Sequence, residues 1–387
     1  MYIDHVSLLN YRTYALLNLP LHSGATVFLG PNGVGKTNIV EAIDYTANLK
    51  SHRVSNDGPL VRMGSKHAYI RTRVLQNNQQ TVTEFEITPG QSNRVRINRA
   101  GPVAAREALG ISKTVLFSPE DLSLIKADPS FRRRYLDDLA VALRPAVAAY
   151  RSDYDRLVRQ RNSLLKIMRT KRYGLQEKQE LEVWNQQLSE AGANLLLARL
   201  KVLLLLSPHI QRAYAELTDA SKQVELSYES TVFPLLSGDF LKQAASLNVE
   251  QMIATLLDEY HTKQAEEIER GMSLVGPHRD EINIDLGSLP ARGFASHGET
   301  WSLALSLRLG SWYLHCADQV SPGLAPILIL DDVFAELDRD RRRRLGSLVS
   351  EAEQVLVTSA VPSDIPAELG DPAYIQVSSG RAEYTNE

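Results

Sequence analysis

The chain has 387 residues, of which 43% are hydrophobic and 23% charged, with a formal net charge of −3. Such a composition is ordinary for a globular protein with a full core, and the length suits two lobes better than one or three. The charge excludes a protein that is basic all over, so any nucleic-acid contact has to come from a local patch. A single cysteine, Cys316, rules out an internal disulfide and fits a reducing, cytoplasmic compartment. The start, MYIDHVSLLNYRTY, carries Asp4 early and lacks the apolar stretch of a signal peptide. The apolar runs fall short of membrane-spanning length, so a soluble protein with no membrane partner is expected.

Residues 1–30 read as strands: apolar and polar residues alternate from Tyr2 to Leu9, and Ala25 to Leu29 is an apolar, β-branched run. From Thr37 the pattern turns helical, with Ile39, Val40, Ala42 and Ile43 interleaved with Glu41 and Asp44. Further strands are expected over 68–75 and 80–98. Beyond Pro129 the chain becomes helical, and two stretches hold a heptad rhythm. One seam runs through Val147, Tyr150, Tyr154, Leu157, Leu164 and Met168, with Arg161 at a seam position. The other runs through Leu181, Trp184, Leu188, Ala191, Leu195, Ala198, Val202 and Leu205. Between them the polar RTKRYGLQEKQE predicts the basic tip of an antiparallel helical hairpin. From Ile282 the α/β character returns, and Pro326 to Leu330 and Gln354 to Thr358 read as buried parallel strands.

Gly30-Pro31-Asn32-Gly33-Val34-Gly35-Lys36-Thr37 satisfies G-x-x-x-x-G-K-[ST] in full, between a predicted strand and a predicted helix. Glycines let backbone N–H groups turn inward around phosphate oxygens, and the helix start adds its positive dipole end. In this pattern Lys36 reaches the β/γ-phosphates and Thr37 offers a hydroxyl to Mg²⁺. The second half of an Mg²⁺–ATP site is a carboxylate at a strand end. Ile327-Leu328-Ile329-Leu330-Asp331-Asp332 supplies it: Asp331 for the Mg²⁺ side, and Asp332 to orient or activate the attacking water.

Lys36 and Asp331 are 295 residues apart. GTPases and small P-loop kinases keep both halves in a compact domain, and the chain has no Asn-Lys-x-Asp guanine motif. A wide separation filled by an insertion is characteristic of ABC ATPases of the SMC and Rad50 type. The expected fold is therefore α/β: an ABC-type P-loop ATPase lobe, like the Rad50 and SMC heads, made of 1–125 and 276–387. A mainly helical lobe with a short coiled-coil-like hairpin, 126–275, is inserted into it.

Asn10-Tyr11-Arg12, GPNGVGKTNIVEAI at 30–43, SPEDLSLI at 118–125, RRRYLDD at 132–138, GPHRDE at 276–281, ASHGE at 295–299 and DDVFAELDRDRRRRL at 331–345 resemble the RecF family of bacterial recombination-repair proteins in order and spacing. The resemblance implies a signature loop at Ala295 to Glu299 that closes on the γ-phosphate held by the opposite protomer, with Ser296 and Gly298 as its contacts. It further implies that Glu336-Leu337-Asp338 is the D-loop across an ATP-dependent homodimer, and that Arg12 contacts phosphate. Binding to duplex DNA near single-strand gaps, cooperation with RecO and RecR in loading RecA, and a weak DNA-stimulated ATPase follow from the same resemblance.

His297 and Glu299 stand where many ABC proteins have glycine and glutamine, and Asp332 replaces the usual glutamate. No switch histidine follows the strand at 354–358; Thr358 is the nearest equivalent. These departures point to slow hydrolysis, with ATP acting as a clamp more than as a fuel.

For DNA contact, nine basic residues fall between Arg144 and Arg172: Arg144, Arg151, Arg156, Arg159, Arg161, Lys166, Arg169, Lys171 and Arg172, opposed by Asp153 and Asp155. Lys50, His52 and Arg53 form a second cluster, with Arg71 and Arg73 on a predicted strand nearby. Arg341 to Arg344 lie near the D-loop and serve either DNA or the dimer interface. None of these patterns reads bases, so phosphate and shape recognition without sequence preference is expected. A charge run is as readily a solvated helix face. The alternative function is the nucleotide-binding subunit of a membrane transporter, which shares the P-loop, signature and carboxylate strand. A Rad50-type nuclease subunit would need long coiled coils and a paired-cysteine zinc hook.

Overall fold

The computed structural model describes residues 1–170, 173–219, 222–318 and 325–385. The first third of the chain is strand-rich: β1 (Tyr2–Tyr11), β2 (Tyr14–Pro20), β3 (Gly24–Leu29), helix α1 (Lys36–Asn48), then β4 (Ala68–Gln76), β5 (Gln79–Ile87), β6 (Arg94–Ile97), β7 (Val103–Ala104) and β8 (Thr114–Phe117). The middle is mainly helical: α2 (Ser123–Lys126), α3 (Pro129–Leu143), α4 (Val147–Thr170), α5 (Leu175–Leu217), β9 (Val224–Glu229), α6 (Gly238–Ala245), α7 (Val249–Arg270), β10 (Glu281–Leu286), β11 (Leu289–Pro290) and the single turn α8 (Ala291–Phe294). The last part comprises α9 (His297–Ala317), β12 (Ile327–Asp331), α10 (Arg339–Val349), β13 (Gln354–Ser359), β14 (Ala373–Ser378) and β15 (Arg381–Tyr384).

Two compact units emerge, one of 1–122, 213–221 and 297–387, the other of 123–212 and 222–296. Residues 276–296, expected with the ATPase lobe, pack instead with the helical unit. The reason is local pairing: β10 runs antiparallel to β9 from Glu281↔Glu229 to Leu286↔Val224. Residues 213–221 fall to the first unit, where Ala213 and Leu217 of α5 join Trp301 and Leu305 in one apolar cluster.

The first unit holds two six-stranded sheets. One is antiparallel, in the order β2-β1-β4-β5-β6-β7. The other has the order β15-β14-β3-β13-β12-β8 and is parallel apart from the edge strand β15. Alternation along the parallel strands builds cores on both faces, which is why they read as continuous apolar runs. Leu116, Phe28, Ile327, Ile329 and Leu356 face α1 and the antiparallel sheet. Val115, Phe117, Val27, Leu29, Leu328, Leu330, Val355 and Val357 face Trp301, Leu305 and Leu309 of α9 and Leu345 and Val349 of α10.

In the helical unit the first heptad seam is buried at Val147, Tyr154, Leu157, Leu164 and Met168, and exposed at Tyr150. Arg161, in the same seam, is fully buried. Its guanidinium bonds Glu267 Oε2 of α7 at 2.5 Å, Ser273 Oγ at 2.8 Å and Asn185 Oδ1 of α5 at 2.9 Å. The predicted hairpin of α4 and α5 thus includes α7 as a third member. Lys171 and Arg172, at its predicted tip, lie outside the described residues. Helix α5 contains an 18-residue window of mean hydropathy 1.4, long and apolar enough by composition to cross a membrane; 56% of that window is buried inside the protein. The second seam explains this apolarity: Leu181, Leu188, Leu195 and Val202 are buried, while Leu205 is exposed.

Candidate nucleotide site

The loop between β3 and α1 carries the residues expected to meet phosphate, 30–37. Gly33 and Gly35 adopt φ of 84° and 116°, which favour glycine. A Cβ on Gly30 would collide with the backbone oxygen of Val377, and one on Gly35 would stand 2.9 Å from Thr13 Oγ1 and 3.0 Å from the Tyr14 hydroxyl. The loop is therefore pressed between β14 and the turn that joins β1 to β2. Tyr14 donates to Gly35 O at 3.1 Å, and Asn38 Nδ2 donates to Thr13 Oγ1 at 3.0 Å. Gly35 caps α1 with no side-chain hydrogen bond, so the first turn of the helix presents N–H groups to the cradle.

Lys36, 3% exposed, folds back over the loop. Its ammonium donates to Gly30 O at 2.8 Å, Pro31 O at 3.3 Å and Asn32 Oδ1 at 3.4 Å. Those are weak acceptors for a buried cation, and an anionic phosphate in the same cradle is a stronger one.

The two sequence halves meet at Asp331. Thr37 Oγ1 donates to Asp331 Oδ1 at 2.9 Å, and Thr358 Oγ1 donates to the same oxygen at 2.7 Å. The parallel pairing β12–β13 places Thr358 directly opposite Asp331, so the hydroxyl is brought there by register. Thr358 also lies 3.4 Å from Asp332 Oδ1, but a hydroxyl has one proton and the shorter contact takes it. In return Thr358 accepts the Asp332 N–H at 2.9 Å. Asp332 has a left-handed backbone, φ 53°. Burial first, then repulsion from Asp331, raises its carboxyl above the usual range, opposed by Lys36 and Thr358. A carboxylate with raised basicity beside the loop suits a group that takes or orients a proton. The Thr37 hydroxyl and the Asp331 carboxylate, 2.9 Å apart, are oxygen ligands of the kind that hold Mg²⁺, while the N–H groups of the glycine cradle suit the phosphates beside it.

The sequence places His52 in a basic patch; the fold turns it inward instead. Its Nε2 lies 3.8 Å from Asp331 Oδ2, an ion-pair distance beyond hydrogen bonding, and its side chain is 12% exposed. Burial would lower the ring's pKa, but the carboxylates of Asp331, Asp44 and Glu41 outweigh it and the net direction is upward. The neighbouring Arg53 donates to Asn38 Oδ1 at 3.1 Å, again toward α1. Arg12, on the β1–β2 turn at φ 51°, gives a bidentate pair to Glu41 of α1 at 2.8 and 2.5 Å and a third bond to Pro59 O at 3.1 Å. In this structure its guanidinium serves α1, not the open loop.

The expected signature and D-loop residues form a second cluster. Ser296 and His297 are at the start of α9, His297 exposed and Gly298 half-buried. Asp338 caps α10, accepting the Arg341 N–H at 3.0 Å, and Arg341 Nη1 returns to Asp338 Oδ2 at 2.9 Å. The same Nη1 fills the space that a Cβ on Gly298 would need, so Arg341 lies between the two motifs.

The residues expected to contact DNA are largely paired. Arg73 binds Asp4 at 2.5 Å, Arg151 binds Asp138 at 3.0 Å, and Arg156 binds Asp153 at 3.2 Å. Arg71 is exposed opposite Glu84, itself paired with Arg96 at 2.8 Å. Arg159 is exposed, and Lys50 is half-buried. Arg161, counted in the basic stretch, is removed from any surface by its burial. The segments RRRYLDD and GPHRDE, which have no obvious chemistry in sequence, interlock inside the helical unit. Arg132 pairs bidentately with Glu281 at 2.8 and 2.6 Å, and Arg133 donates to Asp280 O at 2.7 Å. Arg199 of α5 grips Asp137 at 2.6 and 2.9 Å and Pro277 O at 2.6 Å.

Comparison with known proteins gives the family and the fold. The family model described as RecF/RecN/SMC N terminal domain matches residues 2–366. The DNA replication and repair protein RecF of Pseudarthrobacter chlorophenolicus is 52% identical over 385 residues, covering 95% of this chain and 96% of that one. The chain belongs to the RecF family. The RecF of Streptomyces avermitilis is 48% identical over 386 residues, covering 99% of this chain and 100% of its own. A solved structure of the recombination mediator protein RecF–ATP in the RecFOR pathway superposes with a TM-score of 0.86 at 25% identity, over 100% of this chain and 98% of that one. An Smc head domain from Pyrococcus furiosus shares the fold, with a TM-score of 0.54 at 17% identity over 99% and 96% of the two chains. The chain therefore has the ABC/SMC-type ATPase fold of a DNA replication and repair family.

Proposed function

We propose that the protein binds ATP with Mg²⁺ at the loop 30–37, dimerises around two such nucleotides, and in that state grips DNA at single-strand gaps. The observation that carries the reading is the bond from Thr37 to Asp331, which joins the phosphate loop to the carboxylate strand across 294 residues. The solved relative with ATP supports the choice of nucleotide. Bound Mg²⁺ would neutralise charge on the β- and γ-phosphates. The chain's own residues have separate parts. Lys36 transfers its hydrogen bonds from Gly30 and Pro31 to phosphate, and Thr37 and Asp331 hold the cation side. Asp332 orients water, while Ser296 and Gly298 at the start of α9 meet the nucleotide of the opposite protomer, with Asp338 at the seam between protomers.

Slow hydrolysis, stimulated by DNA, then opens the clamp. Asp332 is shorter than the glutamate usual in fast ABC ATPases, and Thr358 stands in for the switch histidine. Turnover per site above about 10 s⁻¹ contradicts this part of the reading. Within a repair pathway the clamp would act with RecR and RecO to help load RecA. For DNA contact the exposed Arg71 and Arg159, with Lys50 and Arg53, are the first candidates. The ion-paired Arg73, Arg151 and Arg156 would have to exchange a carboxylate for phosphate.

The test is light scattering together with anisotropy on a gapped duplex, with ATP, with ADP, and with Lys36→Met. Dimer formation and tighter DNA binding with ATP alone, both abolished in the variant, are expected. A protein that stays monomeric with ATP, or binds DNA equally in all three conditions, overturns the clamp.

A further inference from the structure

His52 is buried at the edge of the nucleotide site, and neither of its ring nitrogens has a hydrogen-bond partner among the described residues. A buried imidazole carries one donor and one acceptor when neutral and two donors when charged, and leaving either without a partner in the interior is destabilising. A histidine retained only for packing normally finds a backbone carbonyl or hydroxyl. This one faces a carboxylate oxygen, Asp331 Oδ2, at 3.8 Å. The other oxygen of that carboxylate is already held by two hydroxyls, Thr37 at 2.9 Å and Thr358 at 2.7 Å. Asp331 is thus fixed on one side and faces the imidazole on the other, and a shift of about 1 Å brings the ring into hydrogen-bond range.

The backbone around the ring is tied down. Ser51, the preceding residue, donates its hydroxyl to Glu41 Oε1 at 2.5 Å, and the same hydroxyl accepts the N–H groups of Arg53 at 3.0 Å and Val54 at 3.2 Å. The Arg53 side chain holds Asn38 Oδ1 at 3.1 Å. Glu41 and Asn38 both belong to α1, so the segment is pinned to that helix on either side of His52. With the backbone held on either side, the ring stays beside Asp331, and a small side-chain adjustment closes the 3.8 Å gap without rebuilding the fold.

We propose that His52 is a positioning residue of the nucleotide site, whose ring holds Oδ2 of Asp331 so that the carboxylate keeps its orientation toward a cation shared with Thr37. This rests on the reading of 30–37 and Asp331 as an Mg²⁺–ATP site. Partners one step removed from a metal commonly change its affinity by about 10- to 100-fold.

The experiment measures the affinity of the full chain for mant-ATP, with Mg²⁺ and in EDTA, for the wild type, His52→Leu, His52→Asn and Lys36→Met. In the wild type Mg²⁺ tightens binding. His52→Leu is expected to lose that gain by about tenfold or more, while His52→Asn, which keeps a donor, recovers part of it. Equal Mg²⁺ gain in the wild type and His52→Leu overturns the inference, as does a loss in His52→Leu that is the same with Mg²⁺ and in EDTA. Should His52→Leu fail to fold, His52→Asn decides alone: a Mg²⁺ gain smaller than the wild type's, with binding in EDTA unchanged, supports the inference, and an unchanged gain or a loss indifferent to Mg²⁺ overturns it. Nucleotide binding that Lys36→Met does not weaken sinks the underlying site reading instead.

Discussion

Thr37 and Asp331 are 294 positions apart in the chain and 2.9 Å apart in space, joined by a hydroxyl-to-carboxylate hydrogen bond. The closure is made by the parallel sheet, which sets β3, the strand before the phosphate loop, beside β13, and β13 beside β12. Thr358 sits on the strand between the two halves and bonds the same oxygen.

Replacing Thr358 with valine keeps the shape and removes that hydroxyl. The Asp332 N–H then loses its acceptor and Asp331 one of two donors. Destabilisation of about 1–3 kcal/mol is expected, with slower single-turnover ATP hydrolysis at saturating nucleotide. Thermal unfolding and quenched-flow turnover check both; unchanged turnover would remove Thr358 from the site.

Gly30 and Gly298 both lack room for a Cβ, but the obstacles differ. At Gly30 the obstacle is the backbone oxygen of Val377, which cannot move aside. At Gly298 it is the far end of the Arg341 side chain. Gly30→Ala should cost about 1–3 kcal/mol and weaken ATP binding. Gly298→Ala should fold with nearly wild-type stability and bind ATP normally, yet form less of the ATP-dependent dimer. Calorimetry and light scattering distinguish the two.

Arg161 and Glu267 form a fully buried ion pair. Arg161→Met leaves an uncompensated carboxylate and should destabilise by about 3–5 kcal/mol. Adding Glu267→Leu should restore only part of this, because Glu267 also accepts the Leu274 N–H at 2.7 Å. Neither change should alter the salt slope of DNA binding, which shifts by about 0.9 for each phosphate that the protein no longer neutralises. A slope that drops in folded Arg161→Met protein would return this arginine to the DNA surface.

His315 of α9 is held at about 4, below its usual value, by burial and then by Lys113. A depressed histidine contributes stability that is complete above its unfolded value near 6.5 and is lost as pH falls toward about 4. His315→Phe removes the proton uptake, so its unfolding temperature should fall less than that of the wild type between about pH 7 and 5. Parallel pH curves for the two proteins would contradict this.

The sequence by itself determined the glycine-rich loop 30–37, the acid-ended strand at 327–332 and several of the elements around them, though not β8, β14 or β15 of the parallel sheet. These are local signals: a glycine pattern before an amphipathic helix, and apolar runs that end in acid. It also carried the family resemblance, because motif order along the chain needs no coordinates. What only the tertiary structure decided were the partners brought in from elsewhere. Strand register put Thr358 opposite Asp331. The fold of the segment after α1 turned His52 inward, where composition suggests a basic surface. Helix packing buried Arg161 against α5 and α7 and withdrew it from the basic stretch of α4, and the pairing of β10 with β9 carried residues 276–296 into the helical unit. A charge in sequence has no direction; whether it meets solvent, a phosphate or a buried carboxylate is set by which element packs beside it, and that is a long-range choice.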